Sequence, residues 1–203
     1  MKKALFLIGF MCFLGGCKDE ESVYPSVLTE ILSICTDAEG RAARLCPDHS
    51  DGYSIENPAG FPGLTPDSLY RVIAIYEITD AENRAAYLYS LSSIFSAPPV
   101  QGWEGEIKTD PVDVQSIWMS GGYLNMVLLV KGKDKEHAFH CIETGDGQHL
   151  VFQFYHDRQG NIEAYTKKAY FSIPMQAYKA GHETFLFSIN THKEGVKTYE
   201  FSL

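Results

Sequence analysis

Basic residues are scarce in this 203-residue chain: 17 Lys and Arg stand against 26 Asp and Glu, a formal net charge of −9 with histidines neutral. Such a surface repels phosphate backbones and anionic head groups, so no nucleic acid partner is expected. Long apolar runs are missing as well. The hydrophobic run from Ala4 to Leu14 is well short of the roughly 20 residues that a spanning helix needs. Catalytic signatures are also lacking: there is no Gly-x-Ser-x-Gly elbow, no phosphate-cradling loop and no dinucleotide fingerprint. His182-Glu183 starts a zinc-protease-like word, but Leu186 occupies the place of its second histidine. His137 and His140, three apart on an expected strand, point to opposite faces and cannot chelate together. His156 and His192 each abut a turn and read as exposed, hydrogen-bonded histidines. Asp110 with Asp113, or Glu104 with Glu106, read as solvated strand edges, because a hydrolytic pair needs a fixed separation across a cleft. No catalytic residue, cofactor or metal site is expected.

What the chain does contain begins at its N-terminus. Lys2 and Lys3 precede the apolar run, and Leu14-Gly15-Gly16-Cys17 ends it. A charged start, a short apolar stretch and a small-residue cut site are the parts of a secretory signal. Small residues just before a cysteine resemble the lipobox of bacterial lipoproteins, which implies removal of residues 1–16 and lipidation of Cys17. An ordinary secretory signal, or a membrane anchor that merely contains a cysteine, is the alternative. Lys18-Asp19-Glu20-Glu21 resembles the lysine-plus-acidic tetrad that routes some lipoproteins of Gram-negative anaerobes to the outer leaflet of the outer membrane. A charged, solvated tether is the blander account. The expectation is a lipid anchor in the outer membrane, at the cell surface rather than the periplasmic face, with residues 17–26 as lipidated cysteine and tether.

Cleavage would remove Cys12 and lipidation would occupy Cys17, leaving Cys35, Cys46 and Cys141. An odd number allows one internal bridge at most. Cys35 and Cys46 flank an expected hairpin and are the candidate pair, although their spacing does not make them direct cross-strand partners without a bulge. Cys141 reads as a buried free thiol.

The rest reads as strands joined by tight turns. Val27 to Cys35 alternates loosely, and the turn after it favours a strand over a helix. That turn, Asp37-Ala38-Glu39-Gly40-Arg41, has a near copy at Asp80-Ala81-Glu82-Asn83-Arg84. Each would be a hairpin loop with its left-handed residue at Gly40 or Asn83. Tyr53 to Pro66, rich in Pro, Gly and Asn, reads as a long loop, and Ala97-Pro98-Pro99-Val100-Gln101-Gly102 as the domain boundary. Beyond it, strands are expected over Val112–Met119, Tyr123–Lys131, His137–Glu143, His149–His156, Ile162–Ile173, Thr184–Thr191 and Val196–Leu203. Asp157 to Asn161 reads as a hairpin loop. Trp118 shares a face with Val112 and Val114 by period-two counting and is expected in the core, against the alternative of a ligand-stacking platform. The class is all-β, with a two-sheet sandwich in the second portion.

Several stretches together resemble the NigD-like lipoproteins: Tyr24-Pro25-Ser26-Val27-Leu28-Thr29-Glu30, Thr36 to Arg41, Leu69-Tyr70-Arg71-Val72, Asp110 to Trp118, Tyr155-His156-Asp157, Ile173-Pro174 and Phe187 to Thr191. The most specific is Ser120-Gly121-Gly122-Tyr123-Leu124-Asn125-Met126. The resemblance implies an OB-like N-terminal barrel, residues 27–97, followed by an antiparallel β-sandwich, residues 98–203. It supplies no active-site residues and no support for a Cys35–Cys46 pair. The family takes its name from a protein assigned to bacteriocin immunity through genetic context. The functional expectation is a non-catalytic, outer-membrane-anchored lipoprotein that binds another macromolecule, a protein partner in bacteriocin immunity. The alternative is a glycan-binding or glycan-processing accessory lipoprotein at the surface. Tyr53, Phe61 and Trp103 lie in loops and are the candidate partner-binding aromatics.

Overall fold

The computed structural model describes residues 26–145 and 149–203. Cys17 and the Lys18–Glu21 tetrad lie outside these residues. The class is all-β, and among the described residues no helix is long and apolar enough to cross a membrane.

Five strands, β1 (Val27–Thr36), β2 (Ala42–Cys46), β3 (Tyr53–Ile55), β4 (Leu69–Asp80) and β5 (Ala85–Ser93), close into a barrel in the order β1-β2-β3-β5-β4. The β3–β5 pair is parallel and the others are antiparallel. Alternation places Leu32, Ile34, Leu45, Val72, Ala74, Tyr76 and Leu88 inside. The strand β3 corrects the reading of Tyr53 to Pro66 as loop alone. Three residues are too few to show periodicity, yet they bridge β2 to β5 and complete the closure. Both expected hairpins form, but in the second the left-handed residue is Arg84 (φ 53°), one place later than Asn83. Asp80 holds Asn83 by its backbone N–H and its side-chain amide, which moves the reversal along by one residue. In the first, Gly40 is left-handed (φ 69°), and a Cβ there would meet the Leu64 carbonyl oxygen at 2.2 Å.

The chain leaves the barrel after Ser93: Phe95 bridges to Phe171, and Val100 to Ile142. Pro98-Pro99 therefore already runs along the second domain. That domain is a sandwich of two sheets. One has the order β10 (Tyr165–Pro174), β7 (Tyr123–Gly132), β6 (Asp113–Ser120); the other has β12 (Gly195–Ser202), β11 (Thr184–Thr191), β9 (Val151–Asp157), β8 (Ala138–Glu143). Leu124, Met126, Leu128, Phe171 and Ile173 face Cys141, Phe152, Phe154, Phe185, Phe187 and Ile189 between the sheets. Phe154 meets Phe171 edge-on, with centroids 5.4 Å apart. Asp157 to Asn161 does not close a hairpin: β9 and β10 lie in different sheets, and β10 pairs with β7. The centre of β7 is buried on both faces, which explains its near-continuous apolar run. One face lies in the sandwich core and the other turns toward the barrel.

Candidate functional site

The barrel and sandwich meet at a buried polar cluster. Arg71 of β4 pairs in two bonds with Asp48 of the β2–β3 loop, at 2.5 and 2.6 Å, with side chains 2% and 8% exposed. Arg71 Nε donates to Ser172 of β10 at 2.8 Å, and its Nη2 to Asn125 of β7 at 3.1 Å. Ser172 donates to the same Asn125 oxygen at 2.6 Å, and Ser120 donates to Asp48 at 2.5 Å. The guanidinium also lies 4.3 Å from the centre of the Tyr123 ring. A buried ion pair is tolerable only when its remaining donors and acceptors are met, as they are here. The segment that carries the strongest family resemblance, Ser120 to Asn125, is thus the sandwich's half of an interdomain latch.

Beside the latch lies a groove of about 430 Å³. Its barrel wall is Thr29, Glu30 and Ile31 of β1 with Ile73 of β4; its sandwich wall is Trp118, Val127 and Tyr170. His49, Gln115 and Lys168 stand at the rim, and a further hollow of about 300 Å³ continues it past Ile75, Ser90 and Ser92 of β4 and β5. A cleft between two domains that sets apolar and aromatic side chains among polar ones is a common form of ligand site.

Trp118 reaches this groove through a bulge. The β6–β7 register runs from Val114 opposite Leu128 to Ser116 opposite Val127, so Gln115 is the extra residue. One inserted residue reverses the alternation beyond it. Val112 and Val114 pack in the sandwich, Ile117 and Met119 take over that face, and Trp118 turns to the barrel. The expectation that Trp118 is a core residue is corrected accordingly.

The candidate aromatics Tyr53, Phe61 and Trp103 do not come together. Tyr53 and Phe61 are partly buried and pack against the barrel core. Trp103 lies on the sandwich, its ring 5.0 Å from Tyr155 and 5.3 Å from His140. Cys35 and Cys46 are free thiols. Cys141 is a buried thiol, 2% exposed, whose pKa burial raises.

The histidines form an unexpected arrangement. His156 is not exposed: it is 1% accessible and stacked against His137, centroids 5.0 Å apart. The Asp110 carbonyl lies 2.8 Å from His156 Nδ1, which must therefore carry the proton. His156 Nε2 then accepts from His137 Nδ1 at 2.7 Å, and His137 Nε2 accepts from Asn161 at 3.1 Å. Each ring is neutral with its tautomer set by the neighbour. Burial lowers both pKa values; Arg158 adds to this, and Asp110 opposes it. The missing sequence signal is β8–β9 pairing, which places residues 19 apart side by side. Among the described residues, no group of three or more His, Cys, Asp or Glu is placed to hold a metal.

Residues 96–203 match the sequence profile described as the NigD-like C-terminal beta sandwich domain. The whole fold is similar to the crystal structure of a NigD-like immunity protein from Bacteroides caccae, at 27% identity and TM-score 0.75, covering 88% of this chain and 98% of that one. A candidate toxin-related protein from Parabacteroides distasonis superposes with TM-score 0.73 at 16% identity, over 87% and 93% of the two chains. A candidate lipoprotein from Bacteroides fragilis does so with 0.62 at 11%, over 87% and 97%. At those two identities the likeness shows the fold alone. Comparison with curated proteins finds no significant match. With a sandwich profile that takes in more than half of its residues, the chain belongs to the NigD-like family.

Proposed function

We propose that the protein is a non-catalytic, lipid-anchored protein of the outer membrane that binds a protein partner in an immunity-type role. The groove between barrel and sandwich is the seat for a segment of that partner. The observation that carries the reading is the composition of the groove: Ile31, Ile73 and Val127 with Trp118 and Tyr170 leave apolar side chains in a cleft built jointly by both domains. Partly exposed Trp and Tyr in such a setting are the residues that most often dominate protein–protein affinity. Two of the carboxylates here are already engaged, Asp48 with Arg71 and Ser120, and Glu30 with the Tyr76 hydroxyl at 3.3 Å. That leaves little for acid–base chemistry. The relative from Bacteroides caccae, described as an immunity protein, supports the same direction.

The test is capture from solubilised cell envelopes and from the secreted proteins of neighbouring strains, using wild type and a Trp118→Ala, Tyr170→Ala double variant. A protein held by wild type and lost from the folded variant supports the groove; equal retention refutes it. One observation favours a glycan instead: the cleft is concave and presents two aromatic rings. Against it, the loops that grip oligosaccharides in OB-folds, those joining strands 1–2 and 4–5, are short turns here, Asp37–Arg41 and Ala81–Arg84. A glycan panel bound by wild type and not by the double variant would replace the protein partner with a sugar. Protease shaving of intact cells tests surface exposure against the periplasmic face.

A further inference from the structure

Cys35 near the end of β1 and Cys46 at the end of β2 stand on adjacent antiparallel strands. Ser33 is opposite Cys46 and Arg44 is opposite Cys35, so the two cysteines are diagonal neighbours. A bulge between Cys35 and Thr36 adjusts the register at this point, and the two sulfurs lie 3.6 Å apart. Both thiols are half-buried, whereas Cys141 is sealed in the core of the other domain.

We propose that Cys35 and Cys46 are a redox pair that closes to an intramolecular disulfide when the protein meets a protein or small-molecule disulfide as oxidant. One cysteine thiolate attacks the oxidant's S–S bond, forming a mixed disulfide and releasing one oxidant thiol. The other attacks the cysteine sulfur of that mixed disulfide and expels the second oxidant thiol. The pair gives up two protons and two electrons, which reduce the oxidant's disulfide to two thiols. A bond of about 2.05 Å asks the sulfurs to close by roughly 1.5 Å, within the reach of side-chain rotation. Burial and the neighbouring Cys35 thiol push the Cys46 pKa up to about 11, so few thiolates form at neutral pH and unaided oxidation is slow. The export address read from residues 1–17 would carry the pair to a compartment where disulfide oxidants act.

The location gives the cross-link a consequence. Cys46 leads through Pro47 into Asp48, the acid of the latch, and Ser33 opposite Cys46 accepts a bond from Arg71 at 3.3 Å. Joining Cys35 to Cys46 ties the strand that leads to Asp48 onto the strand that carries Ser33, on either side of the Arg71 guanidinium. The disulfide is an oxidative staple on the barrel's half of the interdomain contact.

The experiment is peptide mapping of full-length protein purified from envelopes without reductant, alkylated in denaturant and digested with trypsin. The expected result is a linked pair of peptides containing Cys35 and Cys46, two hydrogens lighter than its parts and separated by reduction. Purified protein equilibrated over a series of glutathione ratios should form the same link, and its oxidised form should unfold at a higher urea concentration than its reduced form. Cys35→Ser and Cys46→Ser should abolish both the link and that difference. If a variant fails to fold, the comparison of oxidised and reduced wild type decides by itself. Recovery of both cysteines in alkylated form at every ratio, or a link from either to Cys141, overturns the proposal.

Discussion

Asp48 approaches Gly121 so closely that a Cβ at position 121 would lie 2.4 Å from the carboxylate oxygen Oδ1. Gly121 is also left-handed, at φ 59°. Absence of a side chain is therefore what lets the barrel's acid reach Ser120 and sit against the turn.

Gly121→Ala should accordingly destabilise the protein on the order of 1–3 kcal/mol, combining left-handed strain with displacement of Asp48. Asp48→Ala should cost more, about 3–5 kcal/mol, because it strands a buried guanidinium. Urea denaturation followed by tryptophan fluorescence measures both. An Asp48→Ala midpoint equal to wild type would show that the latch contributes nothing.

Trp118→Ala should change stability far less than the roughly 3–5 kcal/mol of a buried aromatic truncation, since the ring lines a groove rather than the core. Its effect should appear in partner retention. Unfolding at much lower urea than wild type, without loss of retention, would return Trp118 to a packing role.

The neutral histidine pair predicts acid sensitivity. Both folded-state pKa values lie below the ordinary 6.5, so the unfolded chain takes up protons first as the pH falls. Stability from this pair is thus fully present above about pH 6.5 and is lost as the pH drops from there toward the folded-state values. Lys167 and Arg158 hold His137 down while Asp110 and Asp157 pull it up, so the transition should depend on salt. His156→Gln should flatten the decline between pH 7 and 5 in urea midpoints. An unchanged slope would mean that His156 takes up protons equally in the folded and unfolded chain and does not cause the decline. The lowered carboxyls of Asp37, Asp80 and Asp157 act in a separate window at lower pH, where their protonation removes turn contacts.

Intact-mass analysis of membrane-extracted protein should find lipid on Cys17, and Cys17→Ser should leave an uncut or unanchored chain. An unmodified thiol at residue 17 would refute the anchor.

Much of the fold is legible because strand alternation and turn chemistry are local. Phe185, Phe187 and Ile189 announce a strand face, and Asp37 to Gly40 announces a reversal, without reference to distant residues. The all-β class follows from such signals. Two failures have a common cause. Residue Gln115 is a bulge only because β7 pairs with both of its flanks, and that single insertion sends Trp118 to the opposite face. Likewise Asp157 to Asn161 looks like a hairpin, yet β10 finds its partner in β7, on the other sheet.

The sequence by itself determined most of the strands and turns, the acidic balance and the lipoprotein-like start, because each is written in neighbouring residues. Tertiary structure alone decided what those strands bring together. Arg71 meets Ser172 across 101 positions, Ser120 meets Asp48 across 72, and the Trp118 groove exists only between two domains. No local pattern encodes such meetings. They arise when sheets that must bury one face pack against each other and leave their polar residues to find partners at the seam.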